Sequence, residues 1–351
     1  MRSNISQKPY LAVAVTLLGA LCILYLLQHR QYNLYIARQN YLFEQKIDTL
    51  THMVTNLESR LYWAGQSYKI NQYDLPEQIV FCGDTLRTDD EIYREKIERE
   101  FYSLLSKPGQ IQLYLKRSLR YLPMIERKLK ESGLPQDLKF LAVHESALLP
   151  TIRSRSNAVG LWQFMRGTAR LYRLKINRYI DERQDPERST DAAIRMFKDL
   201  YRQFSDWALV MAAYNGGVNR IHRSIRQQNT SDYLALSLPE ETERYYFQIV
   251  ATKLILDNPG AYGFMIDEDD YFFTPKIKPV EFAITTSSLS LGDIAAMTGL
   301  SLAYFKHLNP QFTNSVLPRG SYTLYIPETE YTLLAKNAAE EINIDFGEET
   351  D

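Results

Sequence analysis

Between residues 90 and 256 apolar side chains recur at spacings of three and four, and no comparable alternating pattern interrupts them. That period belongs to helices burying one face, so this stretch is expected to build its core by packing helix on helix. The expected helical segments are 90–105, 111–131, 135–147, a piece from 168, then 190–204, 207–214 and 240–256. Gly133 suits a helix stop, Pro135 the first turn of the next helix, and Asp137 a favourable charge near that N-terminus. Residues 71–90, with their Pro, Gly and Asp, read as an irregular connection. Past Gly260 the texture changes. An acidic turn and a Pro-flanked linker at 275–279 lead to strands expected at 281–285 and 321–326, with short helices at 290–297 and 303–308 between them. The tail from residue 340 is acidic and is expected to be loose.

Residues 11–27 are uncharged, near the lower length limit for crossing a bilayer, with Tyr10 and Tyr25 where interfacial aromatics sit. Arg2 and Lys8 precede the run as in a signal peptide, but no small-x-small cleavage site follows, which favours an uncleaved anchor. A buried helix of a soluble body is disfavoured because the run has no polar face. Arg30 and Arg38 on the far side weaken the charge asymmetry that would orient it. Phe43, Ile47, Leu50, Val54, Leu57 and Leu61 continue as an apolar seam, read as a helical stalk. Self-association through that stalk and packing on the protein's own body both stand open. Basic and acidic residues nearly cancel, 41 against 42, so the overall charge gives no argument for a nucleic-acid partner. The two cysteines, Cys22 within the apolar run and Cys82 far from it, form neither a CxxC pair nor a plausible disulfide, leaving zinc and thiol redox chemistry without support.

The chemistry concentrates in "KFLAVHESALLP", residues 139–150. On a helix Leu138, Leu141, Ala142, Glu145 and Leu149 share one face, which places a carboxylate among groups that should be buried. Burial disfavours the charged form, and a Glu kept protonated near neutral pH is what general acid catalysis needs. A core Glu paired with Arg or Lys explains the same position. His144 points away from that face, and Leu148 breaks the HExxH zinc pattern, so His144 reads as a flanking or surface side chain. Ser146 lacks a nucleophile-elbow frame and reads as a local support bonded to the helix backbone or to the Glu. From 146 to 180 there is no acidic residue, so Glu145 has no neighbouring carboxylate partner, although some glycosidases let the substrate supply the nucleophile. "NAVGLWQFMRGTARLY", residues 157–172, presents Trp162, Gln163 and Met165 between glycines, either as core or as a sugar platform. "AAYNGG", residues 212–217, leaves Tyr214 and Asn215 at a helix end, where Asn215 is either a cap or part of a site.

Together Glu145-Ser146, Ser154, the Gly160 to Met165 run, Gly167-Thr168, Ala213 to Asn215, and Leu238 to Thr242 with Tyr245 resemble the family 1 lytic murein transglycosylases, of the membrane-bound D type. Residues 279–327 resemble a LysM peptidoglycan-binding module, with "TSSLSLGD" where its usual Gly-Asp-Thr-Leu turn would stand. The resemblance implies a mainly α fold: a membrane anchor (1–28), a helical stalk (29–70), a lysozyme-like all-helical catalytic domain (75–265), a small α+β LysM-like domain of strand-helix-helix-strand order (279–327) and an acidic tail (328–351). It also implies the function. Peptidoglycan glycan strands would be cleaved at the β-1,4 bond between N-acetylmuramic acid and N-acetylglucosamine without added water, at a body facing the periplasm. Glu145 would be acid and then base, and Ser154, Gln163, Met165, Tyr214, Asn215 and Tyr245 would line the cleft, with no metal or organic cofactor. Arg166 stands where the family has Pro, and "NGGVNR" replaces its commoner "NAGPGR". A hydrolytic muramidase and an inactive wall-binding scaffold are the alternatives.

Overall fold

The computed structural model describes residues 8–66, 73–272, 275–337 and 342–345, in two compact units divided after Ile70. Among the described residues the first unit is a single helix, α1 (Lys8–Gln66), so the segments expected as anchor and stalk form one continuous element there. Its seam residues Phe43, Ile47, Leu50, Val54, Leu57 and Leu61 are all exposed. Among the described residues no helix is long and apolar enough to cross a membrane. The apolar run at 11–27 begins on side chains that lie outside the described set, and Leu17, Leu18, Leu21, Ile23, Leu24 and Leu27 are all exposed along the part within it.

The second unit opens with a hairpin where an irregular connection was expected: β1 (Gln78–Phe81) pairs antiparallel with β2 (Asp84–Arg87) across Cys82 and Gly83, both at positive φ. Ile79, Phe81 and Leu86 bury one face of it. The helices follow: α2 (Glu91–Leu105), α3 (Pro108–Glu131), α4 (Lys139–Ser146), α5 (Arg166–Leu171), α6 (Pro186–Phe204), α7 (Trp207–Gly216), α8 (Val218–Gln228) and α9 (Glu240–Asp257). Asp90, Asp185 and Asp206 cap α2, α6 and α7 by accepting backbone N–H groups, which satisfies donors that a helix start leaves orphaned. Helix α9 is buried on nearly every side, through Tyr245, Tyr246, Phe247, Ile249, Val250, Ala251 and Ile255. Such a helix belongs at the centre, and α2, α4 and α7 all pack on it. Asp137 does not simply charge a helix start: its carboxylate accepts the Cys82 N–H at 2.8 Å and Lys253 Nζ at 2.8 Å, fixing the hairpin and α9 to the entry of α4.

The C-terminal part is β3 (Ile277–Ser290), α10 (Leu291–Met297), α11 (Leu302–Leu308), β4 (Val316–Pro327), α12 (Tyr331–Asn337) and β5 (Ile342–Asp345). The expected strand-helix-helix-strand order is present, with β3 and β4 antiparallel and a register shift between Ile284 and Ser288. The tail differs from expectation, because β5 pairs with the other edge of β3, Glu281 opposite Asp345 and Ile284 opposite Ile342. Pairing satisfies a strand edge that would otherwise stand open. Residues 338–341 and 346–351 of that expected loose tail lie outside the described residues.

Candidate active site

Helix α4 is short. It buries Phe140, Leu141, Ala142 and Val143 and stops at Ser146, because Ala147 and Leu148 both adopt left-handed backbone, at φ 51° and 57°. The expected continuation to Leu149 is therefore broken, and Leu148 takes the buried place instead. Two successive non-glycine residues in that conformation are costly. Arg117 of α3 holds the turn by donating from Nη1 to the Ala147 carbonyl at 2.9 Å. The helix thus ends on Glu145 and Ser146, and the Ser146 hydroxyl donates back to the Ala142 carbonyl at 2.9 Å, a local support.

Glu145 is half-buried, and among the described residues no Arg or Lys pairs with it, so the core ion-pair explanation finds no support. The hydroxyl of Tyr245, from the centre of α9, donates to its Oε1. Burial pushes the carboxyl up to about 7, against the opposing pull of the Tyr245 bond, and the Glu241 carboxylate raises it further. Burial and the neighbouring Glu145 hold the Tyr245 phenol well above its ordinary range, so it remains a donor. Burial and the Glu145 charge raise the Tyr214 phenol in the same way. Its hydroxyl donates to the Trp162 carbonyl at 2.6 Å, tying the end of α7 to the loop at 157–165.

His144 is half-buried, a flanking group rather than a surface one. Its ring meets Tyr245 edge-on at 5.3 Å, and burial lowers it to about 4, leaving it neutral beneath the tyrosine. Nearby, Glu100 is 3% exposed. Burial pushes its carboxyl up, but bonds from Arg244 at 2.8 and 3.1 Å and from Arg99 bring it below its ordinary value. That pair pins α9 to α2 one residue from Tyr245.

The remaining expected residues divide. Asn215 joins the α9 entry, accepting from the Thr242 hydroxyl at 3.0 Å and approaching Glu241 through Nδ2 at 3.5 Å. Ser154 spends its hydroxyl inside its own turn, accepting the Ala158 N–H at 3.0 Å. The Gln163 amide donates to the carbonyls of Gly160 and Ile152, at 3.0 and 3.3 Å, from a backbone at φ 46°. Met165 is exposed, free to meet a ligand. Trp162 is core: it is fully buried and donates Nε1–H to Thr190 at 3.0 Å, which excludes it as a sugar platform. Gly160, at φ 91°, lies so close to Arg183 that an added Cβ would stand 1.7 Å from the Arg183 carbonyl oxygen. A cavity of about 600 Å³ borders Tyr214, walled by Leu171, Met196 and Leu200 and edged by Arg220 and Arg223.

Glu241, Arg117, Arg183 and Glu100 were not singled out from the sequence. Glu241 had a readable signal, since it lies between Pro239 and Tyr245 in a quoted motif; Arg117 and Glu100 act through partners remote in the chain, and Arg183 joins its neighbour Asp181 to the remote carbonyls of Asn157 and Phe164. Among the described residues no group of His, Cys, Asp and Glu side chains converges as metal ligands would. The arrangement can give and take one proton near neutral pH.

Residues 123–236 match the transglycosylase SLT domain, and residues 284–341 match the LysM-like domain of lytic transglycosylase MltD. The chain is 29% identical over 266 residues to membrane-bound lytic murein transglycosylase D of Escherichia coli, covering 74% of this chain and 58% of that protein. It is 33% identical over 110 residues to a putative tributyltin chloride resistance protein of an Alteromonas strain, covering 31% of this chain and 53% of that one. The chain thus spans less than two thirds of these relatives. Among solved structures, the 70 kDa soluble lytic transglycosylase of Escherichia coli aligns with 43% of this chain and 26% of its own, at 21% identity and a TM-score of 0.33.

Proposed function

We propose that this chain, with an SLT transglycosylase domain followed by a LysM-like domain, is a peptidoglycan lytic transglycosylase whose acid and base is Glu145. The observation that carries the reading is one carboxyl raised to about 7 under a tyrosine donor, without a cationic partner among the described residues, on the SLT domain. In its protonated form Glu145 gives its proton to the β-1,4 glycosidic oxygen, and the bond to the muramic C1 breaks as the N-acetylglucosamine hydroxyl leaves. The substrate's own N-acetyl oxygen stabilises the positive C1, replacing a second enzyme carboxylate. Glu145, now ionised, takes the proton of the muramic C6 hydroxyl as that oxygen closes on C1. No water is consumed, and the carboxyl ends protonated as it began. Tyr245 holds Glu145 in one rotamer through both steps, and Tyr214, Asn215, Gln163 and Met165 border the glycan.

Digestion of purified sacculi with product masses tests this directly. The expected result is 1,6-anhydromuropeptides from the wild type and none from Glu145→Gln. Reducing-end products would establish a muramidase, and no release from either protein would overturn the enzyme reading.

The same reading extends to location. The apolar run at 11–27, with exposed leucines on its described part, serves as a single-pass anchor that leaves the second unit in the periplasm. A full-length chain recovered in the soluble fraction, alongside a form lacking residues 1–28, would overturn that assignment. The exposed seam of α1 makes self-association the accompanying expectation, measured by crosslinking in the membrane.

A further inference from the structure

The LysM-like part meets the helical domain along the segment 179–188. Ile180 sits in the LysM-like core with Phe282, Phe305, Phe312 and Leu324. Main-chain bonds flank it: Asp181 N–H donates to the Gln311 carbonyl at 2.8 Å, and Thr313 N–H to the Tyr179 carbonyl at 2.9 Å. The Tyr325 hydroxyl lies 3.0 and 3.1 Å from the two oxygens of Asp185, which is 2% exposed and caps α6. Arg188 adds a bond from Nη2 to the Thr323 hydroxyl at 2.9 Å.

The opposite side of that segment supports the cleft loop. Arg183, 3% exposed, forks onto Asp181 through Nε and Nη2 at 2.9 and 2.7 Å. Its remaining nitrogen, Nη1, donates to the carbonyls of Asn157 and Phe164, both at 3.1 Å. Those carbonyls bracket the turn that carries Gly160, Trp162 and Gln163, and Met165 follows immediately. The Arg183 carbonyl is the atom against which Gly160 closes. A planar guanidinium fixed by a carboxylate on one edge cannot follow the loop, so it sets where the loop stands.

We propose that the LysM-like module buttresses the cleft loop, with Arg183 as the positioning residue, so that the module assists turnover of glycans too short to reach it. The kinetic half of this rests on the transglycosylase reading above; the structural half does not. A module that only holds peptidoglycan would help with long strands and do nothing for a short soluble one.

Two variants test it in the full chain. Tyr325→Phe keeps the ring and removes the hydroxyl that holds Asp185, while Arg183→Lys keeps the charge and loses the fork. Amide hydrogen exchange at Val159, Gly160 and Phe164 is expected to quicken about tenfold in both, with the global melting transition retained. On a soluble muropeptide-derived tetrasaccharide, KM is expected to rise about three- to tenfold, with the pH dependence of kcat unchanged because Glu145 is untouched. Unchanged exchange in the loop would overturn the proposal. So would a defect confined to binding insoluble sacculi, which would make the module a glycan holder. If the wild type releases no anhydro product from the tetrasaccharide or from sacculi, the transglycosylase reading fails, and exchange alone decides the buttress.

Discussion

The protein sets the same pair of groups, a carboxyl under a tyrosine hydroxyl, in two places. Glu145 with Tyr245 lies in the helical domain, and Asp185 with Tyr325 lies where the LysM-like part meets it. Burial raises both, Glu145 to about 7 and Asp185 to about 6. The difference is in what else each carboxyl does. Asp185 is sealed and also accepts the Arg188 N–H as a helix cap, so every bond it makes is internal. Glu145 is partly open, stands at the broken end of α4 and has Glu241 near it. A raised carboxyl is thus a candidate acid only where it can reach a ligand. Burial alone does not separate chemistry from architecture.

The sharpest way to break the comparison is to neutralise each carboxyl. Glu145→Gln is expected to lower the rate of sacculus digestion about 10³-fold while leaving the fold intact. Asp185→Ala is expected to do the reverse in kind, costing about 2–3 kcal/mol in denaturant melts through a lost cap and an orphaned tyrosine hydroxyl, with residual activity retained. Next comes Tyr245→Phe. Without the bond that lowers it, Glu145 rises further, and the alkaline limb of kcat/KM, which reports loss of the acid form, moves to higher pH. A rate loss of about tenfold is expected with it, from the freed rotamer. The smallest effect belongs to Glu241→Gln: removing its repulsion lowers Glu145 and moves the same limb to lower pH, with well under tenfold change in rate at neutral pH.

Stability carries the same signature. In the folded chain Glu145 keeps a proton that the unfolded chain releases, so stability falls as pH rises from 4.5 to about 7 and is flat above. Glu145→Gln therefore melts above the wild type at pH 8, by on the order of 1–3 kcal/mol, and the two converge below pH 4.5. For Asp185 the corresponding window runs from 3.8 to about 6.

Helix phase made much of this legible. It placed Glu145 on a buried face, and the helices expected between residues 90 and 256 correspond to α2, α3, α4, α5, α6, α7 and α9. What escaped was of two kinds. Weak local signals hid the β1–β2 hairpin, helix α8 and strand β5, whose "INID" alternates inside an acidic tail. The second kind was tertiary. Tyr245 reaches Glu145 across 100 residues and Tyr325 reaches Asp185 across 140, and no local period encodes such pairings. His144 shows the limit best. Its helix phase was read as outward, but α9 packs over it and puts Tyr245 on its ring.

Gly160 carries no functional group, yet any side chain there would collide with the Arg183 carbonyl, a backbone atom that cannot swing aside. In a saturation scan scored by wall digestion, Gly160 would be as intolerant as Glu145. Loss of function would then mark the chemistry and the ground it stands on alike. Only a second readout, such as yield of folded protein, would separate a missing proton from a missing space.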